Sequence, residues 1–185
     1  ARRLTGSAQQ RDVGQIFDQQ SSGQTLVKMM KLDMVIGSGG VLSHAPERAQ
    51  SALMMMDAYQ PEGVTMLTVD SIFMMPHLGV LAQVHPQAAL EVFERDCLID
   101  LGVCIAATGE GKLGHDCLKY SIKTSGSGEH QGELKYGDLK LLPLAAGETA
   151  KVEITPARGV DVGAGPGKLL SREVRGGLVG LILDA

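Results

Sequence analysis

Residues 33–46 read Asp-Met-Val-Ile-Gly-Ser-Gly-Gly-Val-Leu-Ser-His-Ala-Pro, and here the residue types could do ligand chemistry. A short apolar run (Met34, Val35, Ile36) meets three glycines in four positions, Gly37, Gly39 and Gly40, and a helical pattern starts after Pro46. The spacing predicts strand, tight turn and helix, the layout of a nucleotide-contacting loop. Glycine lets the backbone take positive φ and lets a ligand approach without meeting a Cβ, and Pro46 suits the first turn of a helix. A Gly-rich turn that only joins two elements fits the same spacing equally well.

Two other places carry polar groups of interest. The apolar run at 64–69 predicts a strand ending on Asp70, followed by an apolar segment that contains His77. A carboxylate at the end of a strand is a frequent ligand-edge arrangement in open α/β sheets, and it is also a helix N-cap, the reading the pattern favours. His77 reads as a structural side chain, since no partner for it can be named. Further on, residues 156–168 hold six glycine or proline positions, Pro156 included, together with Arg158, Asp161 and Lys168. They suit an anion-binding loop or, preferred here, a rigid connection bearing a solvated ion pair.

Metal chemistry is disfavoured. Cys97, Cys104 and Cys117 have no Cys-x-x-Cys spacing, the five histidines include no i, i+4 pair, and buried free thiols are expected. A net charge of −4 with interspersed signs, no Trp and 3% aromatic residues offers neither a basic footprint nor a stacking platform for nucleic acid. No apolar run nears the roughly 20 residues that span a bilayer, and the first residues lack a signal-peptide core. The expectation is a cytoplasmic protein. A start on Ala1 and a stop on an apolar strand read as a segment of a longer polypeptide.

The positioning elements are set by periodicity. One or two helices are expected in residues 1–31, broken near 21–23, and a helix over 46–59 is marked by Ala49, Ala52, Leu53 and Met56. The run Met54, Met55, Met56 reads as core rather than as a methionine-rich binding face. A further helix spans 86–95. From 96 onwards helical periodicity gives way to seven β-patterned runs at 97–107, 117–123, 132–136, 139–144, 149–155, 169–174 and 178–183. The expected organisation is an α/β segment over 1–95 followed by an all-β barrel or sandwich over 96–185.

Several segments resemble a known family. Ile36-Gly-Ser-Gly-Gly-Val-Leu-Ser43 and Val69-Asp-Ser-Ile-Phe-Met-Met-Pro-His-Leu-Gly79 look like the C-terminal part of an actin-like, ribonuclease H-like ATPase. Together with Pro156-Ala-Arg-Gly-Val-Asp-Val-Gly-Ala-Gly-Pro-Gly-Lys168 and Gly176-Gly-Leu-Val-Gly-Leu-Ile-Leu-Asp184 they resemble more closely the glutamate mutase L (MutL) proteins, unrelated to the mismatch-repair ATPase of the same name. The resemblance runs from Asp33 to Asp184 and implies a chaperone-like accessory protein that reactivates an adenosylcobalamin-dependent mutase with ATP. By that resemblance Gly37, Gly39 and Gly40 face adenosine, Ser38 and Ser43 offer polar contacts, and Asp70 and His77 match positions without an assigned role. ATP or ADP with Mg²⁺ would be bound by the full-length protein, and cobalamin belongs to the partner.

The chain departs from that pattern in one respect. Actin-like ATPases need two phosphate-binding hairpins and acidic residues for Mg²⁺, and no such pair is found in the sequence. The chain alone is therefore expected to be inactive as an ATPase, with no catalytic residue of its own. Two other readings stand beside the ATPase fragment: a non-catalytic docking module for the mutase, and a small-molecule kinase of the actin fold.

Overall fold

The computed structural model describes residues 27–126 and 128–185. The helices expected in residues 1–31 fall outside the described residues up to position 26, and the first described element is a 3₁₀ turn, Met29–Lys31. Then come β1 (Met34–Gly37), α1 (Gly40–Ser43), α2 (Arg48–Tyr59) and β2 (Gly63–Asp70). A small helical hairpin comes next, α3 (Met75–Leu81) and α4 (Pro86–Val92), the latter running into a π turn over Phe93–Cys97. The remaining strands are β3 (Leu98–Ala106), β4 (Asp116–Thr124), β5 (Gly128–Lys135), β6 (Leu139–Leu142), β7 (Thr149–Pro156), β8 (Leu170–Arg175) and β9 (Gly180–Asp184).

All seven β-patterned runs after residue 96 form strands, but they close no barrel. They divide between two open sheets, β1-β2-β3-β9-β6 and β5-β4-β7-β8. The expected all-β unit is corrected accordingly: β3, β6 and β9 join β1 and β2, so the first sheet runs across the boundary expected at 95/96. Burial explains the division. Six consecutive residues of β3, from Leu101 to Ala106, are buried, as are four of the five in β9. A strand buried on both faces reads as a continuous apolar run and needs cover on each side. In β7, by contrast, buried and exposed positions alternate, which is the mark of a sheet with one face in water.

The two covers are distinct. Between the sheets Val103, Ile105, Leu181 and Leu183 meet Tyr120, Ile122, Val152 and Ile154. On the other face Ala52, Met55 and Met56 of α2 pack on Leu67, Val69, Cys104 and Ile182, so two of the three methionines in the run are core. A register slip assigns residues to these faces. Leu67 faces Gly102 and Thr68 faces Asp100, leaving Leu101 as a bulge, so that Leu101 and Cys104, three residues apart, share the α2 side.

Ile105 is fully buried between the sheets. Ile105→Ala is expected to lower stability by about 2–5 kcal/mol in urea denaturation, whereas Lys119→Ala on the exposed face changes it by no more than about 0.5 kcal/mol.

Candidate functional site

β1 and β2 are parallel, with Gly37 opposite Val69, so the chain leaves the two strands side by side at Ser38 and Asp70. The glycines of the turn between β1 and α1 have different causes. A Cβ on Gly37 would lie 2.7 Å from Leu42 Cδ1 and 2.9 Å from Met55 Sδ, so a larger residue there displaces the ends of these two side chains. Gly39 has φ +114°, a conformation that side chains rarely adopt. Gly40 opens α1 without such a φ, and among the described residues a Cβ on either Gly39 or Gly40 would meet nothing within 4 Å beyond its own neighbouring backbone. Among the described residues nothing in the packing calls for glycine at position 40.

Hydroxyls hold this turn. Ser43 is buried, and its Oγ lies 2.8 Å from the Gly39 carbonyl and 3.0 Å from that of Asp70, tying the turn to the end of β2. Arg48 Nη1 donates to the Ser43 carbonyl at 3.0 Å and Ser51 Oγ to that of Leu42 at 2.8 Å, which satisfies the C-terminal end of α1 from α2. The periodicity does not announce these two clamps. The available signal was Ser51 on the apolar stripe of α2, where it is fully buried beside Ala52. Ser38, in contrast, is exposed, and its Oγ donates to Asp70 Oδ2 at 3.2 Å.

Asp70 has no solvent exposure. Its Oδ1 accepts the Met74 N–H at 3.1 Å and its Oδ2 the Met75 N–H at 2.9 Å, so the carboxylate caps the start of α3. Burial pushes the carboxyl up, but the N–H groups of Met75 and Met74, the Ser38 hydroxyl and the Ile72 N–H outweigh it and hold the group below its ordinary value of 3.8. Asp70 thus joins the Gly turn to the α3 entry. His77 stands exposed on α3 and shares no hydrogen bond with it. Between them Phe73 takes φ +58°, a left-handed conformation unfavourable for an aromatic residue, and Ile72 and Phe73 are both at least half exposed.

Arg158, Asp161 and Lys168 belong to another place. Gly163 of their loop approaches Gly63 at the amino end of β2, seven residues and roughly 23 Å of strand from Asp70. Asp161 Oδ1 accepts the N–H groups of Gly163 and Gly165 at 2.8 and 2.9 Å, and Val160 and Val162 are fully buried, while Arg158 and Lys168 are exposed. The three cysteines are free and buried, and burial, helped by the Asp184 charge, pushes Cys104 up to about 12. Among the described residues no group of three or more His, Cys, Asp or Glu could hold a metal ion, and no helix is long and apolar enough to cross a membrane.

Fold and corner together define a mixed α/β protein whose open glycine turn lies at the carboxyl ends of two parallel strands. Comparison with known families adds one match: the model described as MutL protein aligns with residues 2–97, just over half of the sequence. The chain belongs to the MutL protein family. No curated protein and no solved structure matches it. The matched residues include the Gly turn, Asp70 and the helical hairpin, while 156–168 and 176–184 lie outside them.

The lowered Asp70 value sets a pH dependence. Its contribution to stability is complete above about pH 4 and is lost as pH falls through the lower folded-state value. Asp70→Asn is expected to cost about 1–3 kcal/mol near neutral pH, with the difference from the parent shrinking in acid. Denaturant titrations across that range check it, and a gap that stays constant with pH would refute the role of the charge.

Proposed function

We propose that the chain is the adenosine-contacting part of a chaperone-like ATPase that reactivates an adenosylcobalamin-dependent mutase of the glutamate mutase type. Membership of the MutL family supports the association with the mutase. The observation that carries the nucleotide reading is Gly40, exposed and with free space where a Cβ would stand, next to Gly39 and the exposed Ser38 hydroxyl. An open backbone of this kind admits a ribose or base at contact distance. Ser38 supplies a hydroxyl at its rim, and Ser43, Arg48 and Ser51 keep the turn in shape from beneath.

ATP would supply the free energy of phosphoryl transfer. Hydrolysis needs the phosphate clamp and the metal in place at once, and the reading assigns both to a longer polypeptide. Reactivation is then conformational. Nucleotide state alters how the accessory protein meets the mutase, and only a difference in the mutase's affinity for the two states can perform work on it. Cobalamin remains the partner's cofactor.

A second reading, a docking module without nucleotide chemistry, is favoured by the α3–α4 hairpin. Ile72, Phe73, Val80, Leu81, Val84 and Leu90 are exposed there, and Glu91 is the one charged residue between 71 and 92. Calorimetric titration with ADP and ATP in Mg²⁺ separates the two. Gly40→Val is expected to fold within about 1 kcal/mol of the parent and to weaken nucleotide binding about tenfold or more. Equal affinity in both proteins would reject adenosine at this turn and leave the docking module; with no heat in either, the same titration of the longer polypeptide and its Gly40→Val variant decides between a half-site and the docking module.

A further inference from the structure

We infer that Ser38 transmits occupancy of the Gly turn to the α3–α4 hairpin through Asp70. The inference rests on the nucleotide reading of that turn. Ser38 is exposed, so a ligand on Gly39 and Gly40 can reach its hydroxyl, yet that hydroxyl donates to a carboxylate with no solvent exposure. The other groups on the carboxylate are the N–H groups of Ile72, Met74 and Met75. All three belong to the segment that enters α3. Asp70 Oδ2 accepts from both Ser38 and Met75, so loss of the Ser38 donor alters the acceptor that Met75 shares.

The hairpin is built to respond. Its own cluster of buried residues is small, Leu78, Ala89 and Cys97 with Met74, Val92 and Phe93 partly buried against it, while Ile72, Phe73, Val80, Leu81, Val84 and Leu90 are exposed. Phe73, inside the segment that Asp70 holds, is in the left-handed conformation, which only its surroundings can maintain. Few contacts and a strained residue place such an element at the easily opened end of the molecule. A ligand acceptor that draws the Ser38 hydrogen bond away from Asp70 loosens the cap of α3, and the surface that moves is the exposed apolar one. Ser38 and Asp70 are therefore positioning residues for this surface.

Amide hydrogen exchange of the whole chain, with and without ADP and Mg²⁺, tests this, with binding followed separately by calorimetry. In the parent, bound ADP should speed exchange at Met74 and Met75 about tenfold, the loss expected for one hydrogen bond to a buried charge. Ser38→Ala, an exposed change whose folding is checked by circular dichroism, should exchange fast at those amides without ligand and show no further response. Unchanged exchange in ligand-free Ser38→Ala, or an ADP response equal to the parent's, overturns the relay. Bound ADP that leaves Met74 and Met75 of the parent unaffected does the same. Absence of binding heat in the parent is a different failure, that of nucleotide binding by this chain alone, and the ligand-free Ser38→Ala exchange then decides the relay.

Discussion

Burial of β3 and β9 on both faces is the constraint on which the rest of the architecture depends. A strand with no solvated side must be covered twice, and the chain supplies two covers of different kinds: the methionine-rich face of α2 and the inner face of a four-stranded antiparallel sheet. The first sheet therefore recruits strands from both halves of the sequence. β2 is held in the same layer, buried at seven of its eight positions, and so the carboxyl end of β2 is rigid where Asp70 begins the turn. The site inherits its precision from a core that lies along the strand behind it.

At that end a single carboxylate organises the backbone of two loops. Among the described residues Asp70 has no cation as a hydrogen-bond partner; N–H groups and one hydroxyl stabilise its charge. Such an arrangement is directional, since each donor fixes a segment of chain, whereas an ion pair would fix only a distance. The Gly turn and the hairpin are in this way two sides of one structure. A nucleotide-contacting turn and a partner-facing surface separated by one side chain form a short route between the two functions proposed.

Much of this was legible in the sequence. Short β-patterned runs between glycine-rich turns located all seven strands after residue 96, and the spacing of Ala52 and Met56 located α2, because burial leaves its period in the sequence. Strand pairing was not legible, since it depends on contacts remote in sequence; the unbroken apolar run at 101–106 was the one clue that β3 has no solvated side. Asp70 admitted two meanings until the parallel register of β1 and β2 placed Ser38 beside it. α1, four residues long, left no periodic trace, and the exposed apolar residues from 72 to 90 look in sequence like any core.

The pairing of β2 with β3 has a consequence for how the family's unit is delimited. The matched segment ends at Cys97, one residue before β3, yet every residue of β2 finds its antiparallel mate beyond that point. Cut there, the polypeptide would keep the Gly turn and the hairpin but leave Leu67 and Val69 at an open edge with half their cover gone. Among the described residues, the segment that the family model matches therefore does not complete its own sheet, and β3 from beyond it supplies the missing edge of β2.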